Sequence, residues 1–378
     1  MTKVLHICET AKGGPATYLN LIADAVGRIN NAIVVPLSHA SYLDADLRQY
    51  RFGHTRRSVG SLIRMVRMSL KAMREEKPDL LFFHSTFSLL ALIVLKLCRV
   101  RTPSLYCAHG WAAHRYDEGS FKRKLTMRIE SLLSGFPDMV ICVSKHDLNF
   151  AREHGYRGNY QLVENGVPDR VLDARSDLFL PKPGEPARTN LLYVGRFDRQ
   201  KGLDILLEAA DRIVGPRPDL HLHVVGAAVL EAPAVRRDLA NVTFHGWVPR
   251  ARIDDWFGSV DALVVPSRWE GLPLVIPEAY RNGTPVIAST RTGMAALIDE
   301  GKTGYTFDLS VDNLANILEL VSSETLRSMR PAARRLFDQR FHADRLREHL
   351  GMVYNQVLAK AGRLPTVKKD DKSYASAA

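Results

Sequence analysis

Residues 190–202 read NLLYVGRFDRQKG: an apolar, strand-forming run from Asn190 to Val194 stops on Gly195, and a basic segment follows that closes on Gly202 before a helical pattern begins. Such a run, ended by glycine and followed by a helix, is the βα unit of a parallel sheet. In open α/β sheets ligands bind beyond the carboxyl ends of the strands, so this loop falls where a ligand would lie. Arg196 and Lys201 suit a diphosphate there, the first as a planar fork and the second as a point charge. Taken alone, the same two residues also describe a solvated, charged loop.

Downstream the pattern repeats. Strands are expected at His221–Val225, Ala262–Val265 and Pro285–Ala288, and the third of these four loops reads RWEGLPLVIPE, Arg268 to Glu278. Glu270 and Glu278 lie eight apart, separated by a glycine turn and prolines that favour a helix start. A carboxylate accepts well from paired sugar hydroxyls. A helix cap and a surface charge are the plainer account of the same two glutamates.

Upstream, strands are expected at Val4–Cys8, Leu80–His84, Ser104–Ala108 and Met139–Val143, alternating with longer amphipathic stretches. Gly13-Gly14 precede a helix over about 15–28, where backbone N–H groups could meet a phosphate or simply form a tight turn. Ser144 reads as the N-cap of the next helix, with Asp147 as its acidic partner. Pro181-Lys182-Pro183-Gly184-Glu185-Pro186 excludes regular structure. Hence we expect domains over 1–180 and 190–340 joined by a linker at 181–189, a final helix over 341–364, and a disordered tail at 365–378.

The 378 residues suit two domains at roughly 100 to 200 residues each. The longest apolar run, Leu89 to Cys98, is far short of the roughly 20 residues of a membrane span and reads as a buried helix. No secretion signal is evident, and Cys8, Cys98, Cys107 and Cys142 suit reduced core thiols, so a cytoplasmic protein is expected. The net charge is +11, and residues 1–180 carry 25 Lys and Arg against 17 Asp and Glu, or +8 of it. A basic first half favours an anionic partner. Nucleic acid is disfavoured, because neither aromatic interleaving nor a recognisable module accompanies the charge.

The motifs together resemble the retaining glycosyltransferases of family 4: Gly13-Gly14, Ala108-His109-Gly110, Val163-Glu164-Asn165-Gly166-Val167, GRFDRQKG, and Glu270-x7-Glu278 followed by Ala279 and Gly283-Thr284-Pro285-Val286. The resemblance implies the GT-B architecture: two Rossmann-like, doubly wound parallel-sheet domains facing a cleft, with the C-terminal helix crossing back to the first domain. By the same resemblance Arg196 and Lys201 look like a diphosphate clamp and Glu278 like the ribose carboxylate. Glu270 would face the donor sugar, Gly195, Gly271, Leu272 and Pro273 would complete that side, and Gly13 and Gly14 would reach the phosphates from the other lobe. His109 resembles the histidine near sugar and acceptor; by itself it also suits a core histidine. Glu164, where a proline is common, Gly226-Ala227-Ala228 in place of a glycine-rich turn, and Pro277 before Glu278 depart from the pattern and put base contacts and helix phasing in question.

The implied reaction passes a hexose from a nucleoside diphosphate to a hydroxyl with retention of configuration, the cations doing electrostatically what a metal does elsewhere. No metal and no cofactor beyond the donor are expected. Asp44-Ala45-Asp46 matches a metal-binding string but reads as a solvated helix face. GDP-mannose and UDP-hexoses are both open as donors. Arg51, Arg56, Arg57, Arg64, Arg67, Lys71 and Arg74, on or beside a helix over 58–76, and Lys122, Arg123, Lys124 and Arg128 on another, would bind an anionic membrane and a polyprenyl-diphosphate-linked acceptor, or form solvated faces. A sugar-nucleotide epimerase or hydrolase and a non-catalytic nucleotide-sugar binder are the competing classes.

Overall fold

The computed structural model describes residues 2–23, 29–53, 56–169, 178–179, 188–228 and 238–363. The first lobe opens with β1 (Thr2–Cys8), α1 (Gly14–Ala23), β2 (Ile29–Pro36) and β3 (Arg48–Phe52). It continues through α2 (Val59–Glu76), β4 (Leu80–His84), α3 (Thr86–Leu97), β5 (Ser104–Cys107), α4 (Phe121–Leu133), β6 (Met139–Cys142), α5 (Lys145–Glu153) and β7 (Tyr160–Leu162). These seven strands form one sheet in the order β3-β2-β1-β4-β5-β6-β7, every pairing parallel.

The second lobe begins with β8 (Thr189–Val194), α6 (Leu203–Arg212), β9 (Leu220–Val225), β10 (Val242–Gly246), α7 (Ile253–Ser259) and β11 (Ala262–Val265). It continues through α8 (Val275–Arg281), β12 (Val286–Ser289), β13 (Gly304–Phe307), α9 (Val311–Leu320), α10 (Ser323–Ser328), α11 (Arg330–Leu336) and α12 (Ala343–Lys360). Its sheet, again parallel, runs β10-β9-β8-β11-β12-β13. Strand order therefore reverses between β1 and β4 in one lobe and between β8 and β11 in the other. These switch points put the loops after β1, β8 and β11 at the crevices where α/β sheets take ligands.

Both lobes are built by local signals. Ser58, Ser85, Ser120, Ser144, Ser310 and Ser322 each accept a backbone N–H three residues on and so start α2, α3, α4, α5, α9 and α10. Asp147 does not complete the expected reciprocal cap at Ser144, because its carboxylate instead accepts from His114 at 3.2 Å. The helix expected over 15–28 is described as Gly14–Ala23, and 24–28 lie outside the described residues. So do residues 181–187 of the expected linker and the tail from 364, while Thr189 already belongs to β8.

Two expectations of burial need correction. The run Leu89–Cys98 is a half-buried helix, with Leu89, Leu92 and Leu95 inward and Leu97 78% exposed. Cys98 is exposed at its end, unlike the buried Cys8, Cys107 and Cys142.

The chain returns to the first lobe at its end. Val167 pairs with His342 through a parallel bridge, and Gly166 is packed against the Phe341 and His342 carbonyls. Leu346, Leu350, Val353, Tyr354 and Val357 of α12 then join a core containing Val4, Leu80, Phe82 and Ile141, with the rings of Tyr354 and Phe82 6.2 Å apart. Each such side chain withdrawn from water contributes on the order of 1.5–3 kcal/mol. Ion pairs bind the same seam: Arg340 grips Glu164 through two bonds of 3.0 and 2.6 Å, and Arg334 grips Asp169 at 3.0 and 2.7 Å. Glu164, anomalous in the sequence, is thus an anchor for the C-terminal segment.

Candidate functional site

The loop after β8 is held open by its own residues. The Tyr193 hydroxyl donates to the Arg196 carbonyl at 2.8 Å, and the Lys201 amide donates to Asp198 Oδ1 at 3.1 Å. Gly202 has a φ of +67° and lies so close to the Pro266 carbonyl that a β-carbon would overlap it, so only glycine turns the chain into α6 here. The loop after β11 locks on beside it. Arg268 donates twice to Asp204, at 2.8 and 2.5 Å, and its amide donates to the Gln200 carbonyl at 2.8 Å.

Lys201 and Glu270 meet directly, Nζ to Oε1 at 2.6 Å, with little of either side chain in solvent. The Ser267 hydroxyl donates to the same Oε1 at 2.9 Å, while Thr292 accepts the Glu270 amide at 2.8 Å. Gln200 bridges outward: its amide nitrogen bonds the Trp269 carbonyl at 3.0 Å and approaches Glu270 Oε2 at 3.4 Å, and its oxygen accepts from Arg196 at 3.2 Å. Arg196 is also 3.0 Å from Asp198 and remains half exposed. Gln200, Ser267 and Thr292 were not singled out from the sequence; a left-handed φ of +47° at Thr292 marks its loop only once the backbone is known.

Glu278 stands in the first turn of α8, its amide bonded to the Leu274 carbonyl at 3.0 Å. Pro277 causes no phasing fault, because its missing N–H falls among the first-turn donors that a helix leaves unpaired in any case. The Glu278 carboxylate is partly buried and accepts no hydrogen bond among the described residues. Burial pushes its pKa up to about 7, against the opposing pull of Arg281 and Arg250.

The first lobe faces this loop with His109 and Gly110, just past β5. His109 adopts φ +54°, a left-handed backbone that costs a non-glycine residue of order 1–2 kcal/mol. Its carbonyl would stand 2.7 Å from a β-carbon on Gly271, so the two backbones touch across the cleft. Asn165 adds a bond from its amide to the Leu272 carbonyl at 3.3 Å. The His109 ring is buried, which pushes its pKa down to about 4 and leaves it neutral. Gly13, with φ +60°, and Gly14, the first residue of α1, open onto empty space beyond β1. Pro273 and Leu272 are buried between the facing loops.

The basic residues divide. Arg67, Lys71, Lys122 and Lys124 are exposed, whereas Arg64 folds back to donate to the Gly53 carbonyl at 2.6 Å. Arg123 turns inward, paired with Glu118 at 3.3 Å and lying over the Phe150 ring, so it is not available to a surface partner as expected. Asp44 and Asp46 sit exposed in a turn, not on a helix face. Among the described residues no group of three or more His, Cys, Asp or Glu is arranged to hold a metal.

Two facing doubly wound lobes, with charged loops at the second lobe's switch point and a C-terminal helix returning to the first lobe, have the GT-B fold, and the family matches make the chain a glycosyltransferase of that type. Family models agree: glycosyltransferase family 4 matches residues 13–171, and glycosyl transferases group 1 matches residues 188–323. The chain belongs to this family. It is 29% identical over 333 residues, 85% of this chain and 90% of the relative, to an uncharacterised 41.2 kDa protein in the cps region of Klebsiella pneumoniae. Its fold matches sucrose-phosphate synthase from Thermosynechococcus elongatus with a TM-score of 0.77 at 21% identity, covering 95% of this chain and 100% of the other. It also matches Anabaena HepE, solved with UDP-glucose, at 0.77 and 19%, covering 94% and 100%. No described helix is long and apolar enough to cross a membrane.

Proposed function

We propose that the protein moves a hexose from a nucleoside-diphosphate sugar, GDP-mannose or a UDP-hexose, to a hydroxyl of a lipid-linked saccharide, with retention and without a metal. The observation that carries the reading is the seating of Gly271 on the His109 peptide, which sets the first lobe's histidine beside the loop of Glu270 and, through that residue's ion pair, the loop of Lys201. A donor in that cleft would place its diphosphate near Arg196 and Lys201 and its ribose hydroxyls on the open Glu278 carboxylate. As the anomeric bond breaks, charge gathers on the departing diphosphate. Arg196 and Lys201 stabilise it there, and the leaving phosphate takes the acceptor proton on the same face.

The cps-region relative supports a role in surface polysaccharide synthesis. On the acceptor side, α4 exposes Phe121, Leu125, Ile129 and Leu132 at helical spacing, with Lys122, Lys124 and Arg128 beside them and no carboxylate on that exposed face. An exposed apolar stripe among cations fits an anionic lipid surface and a polyprenyl-diphosphate acceptor, at the cytoplasmic face of a membrane. Loss of binding to anionic vesicles on reversing Lys122, Lys124 and Arg128 would support this part; unchanged binding would remove it.

A panel of GDP-mannose and common UDP-sugars, assayed for nucleotide release with and without lipid extract, tests the whole. Acceptor-dependent release from one donor, lost in Glu278→Ala, is expected. Release without acceptor would indicate an epimerase or hydrolase, and binding without release a nucleotide-sugar sensor.

A further inference from the structure

Behind His109 lie two more buried histidines. His6 on β1, His84 at the end of β4 and His109 after β5 cross three adjacent strands, with His6 Nδ1 to His84 Nε2 at 3.0 Å and His84 Nδ1 to His109 Nε2 at 3.2 Å. His6 and His84 project from the sheet face that also packs Phe82, Tyr18 of α1 and Tyr354 of α12, so water is excluded from these two rings, and only His109 at the end of the chain keeps partial exposure.

The far end sets the direction. Asn31 donates its amide nitrogen to the Ile22 and Ala23 carbonyls, at 3.5 and 3.3 Å, which turns its oxygen toward His6 Nε2 at 3.0 Å. An amide oxygen only accepts, so His6 carries its proton on Nε2 and offers a lone pair on Nδ1. His84 must then donate from Nε2 and accept at Nδ1, and His109 must donate from Nε2. Burial keeps each ring neutral: it pushes His6 down to about 4 and holds His84 well below the usual imidazole range. The last lone pair of the chain, on His109 Nδ1, accepts from the Cys107 thiol at 3.7 Å, whose proton is retained because burial pushes it up to about 12.

We propose that His6 and His84 are positioning residues: through a one-way chain of hydrogen bonds from Asn31 they fix His109 as the Nε2–H tautomer and hold its loop in the left-handed conformation that meets Gly271. A core built only for stability would place apolar side chains at 6 and 84. A fully satisfied polar chain instead permits a single arrangement of the third ring. The tyrosine at 18, its ring edge-on to His109 at 4.8 Å, closes the remaining side.

The proposal rests on the assignment of the His109 loop to sugar transfer, but its structural half is read independently. Histidine-labelled full-length protein, examined by long-range proton–nitrogen NMR with single His variants for assignment, should show all three rings neutral with the proton on Nε2. A proton on Nδ1 of His109, or an imidazolium there at neutral pH, would overturn it even if no donor were turned over. For the functional half, His6→Leu removes the acceptor for His84, and kcat should fall roughly 10- to 100-fold with donor Kd unchanged, as for a misplaced but present contact. His6→Asn keeps an oxygen near the Nδ1 position and should recover most of that loss. Should His6→Leu not fold, His84→Gln serves, since it keeps a donor toward His6 and leaves His109 without its acceptor. Wild-type kcat in either folded variant would reject the positioning role.

Discussion

The carbonyl of His109 and the α-carbon of Gly271, from different lobes, are packed so closely that no side chain fits between them: a β-carbon on Gly271 would lie 2.7 Å from the oxygen and 2.9 Å from the Gly110 nitrogen. Both obstacles are backbone, and neither can swing aside as a side chain would. Gly271→Ala should therefore part the lobes at the loop that carries Glu270. We expect kcat/KM to drop roughly 100-fold, with donor affinity to the isolated second-lobe contacts less affected; near-normal turnover by Gly271→Ala would refute a closed seam at this point.

Lys201 and Glu270 form a largely buried pair at 2.6 Å. Removing the cation alone strands a carboxylate, so Lys201→Met should destabilise the protein by somewhat less than the roughly 3–5 kcal/mol of a fully buried pair, because Lys201 retains some solvent contact. Adding Glu270→Gln should restore much of that stability and none of the activity. Denaturant unfolding of the two variants, beside initial rates, separates the outcomes. Recovery of activity in the double variant would mean that the pair is structural only.

Much of this arrangement was legible before the structure, and the omissions have a common cause. The interior strands β1, β4, β5, β6, β8, β9, β11 and β12 are apolar because both faces are covered, and each was read within one residue of its observed ends, except β1, which starts two residues earlier at Thr2. The edge strands β3 (RQYRF), β7 (YQL), β10 (VTFHG) and β13 (GYTF) went unread, since an edge meets water and carries polar residues that blur the signal. β2 was missed because it opens on Ile-Asn-Asn. In the site, residues with a fixed offset from a strand end, such as Arg196 and Glu278, were visible. Thr292 and Ser267 matter through Glu270, 22 and 3 residues away, and ordinary polar residues give no warning of such pairings.

Glu278 supplies a pH dependence with a definite sign. Its folded pKa, about 7, lies above the ordinary carboxylate value of 4.5, so the folded protein holds this proton over a window in which the unfolded chain has lost it. The associated stability is fully present below about 4.5 and is lost as pH rises through 7, at most about 3 kcal/mol. Ribose hydroxyls need the ionised acceptor, so donor affinity should move the other way and strengthen from pH 6 to pH 8. Asp254 raises the value while Arg281 and Arg250 lower it. Glu278→Gln should flatten both profiles; calorimetric titration with an intact nucleotide sugar that found the same slope in the variant would assign the titration to another group.

Gly14 offers the opposite test to Gly271. It is the first residue of α1, its φ is not in the left-handed region, and a β-carbon there would meet no atom within 4 Å. Gly14→Ala should accordingly fold without strain, its stability within about 1 kcal/mol of wild type. Empty space over a helix start, at the first lobe's switch point, is where a diphosphate would approach the backbone N–H groups. A methyl group there should hold the phosphates off and raise donor KM roughly tenfold, about 1.4 kcal/mol of binding, while kcat at saturating donor changes little. Unaltered KM with unaltered stability would place the diphosphate elsewhere, on the second lobe alone, and would reduce the first lobe's part in donor binding to the contact around His109.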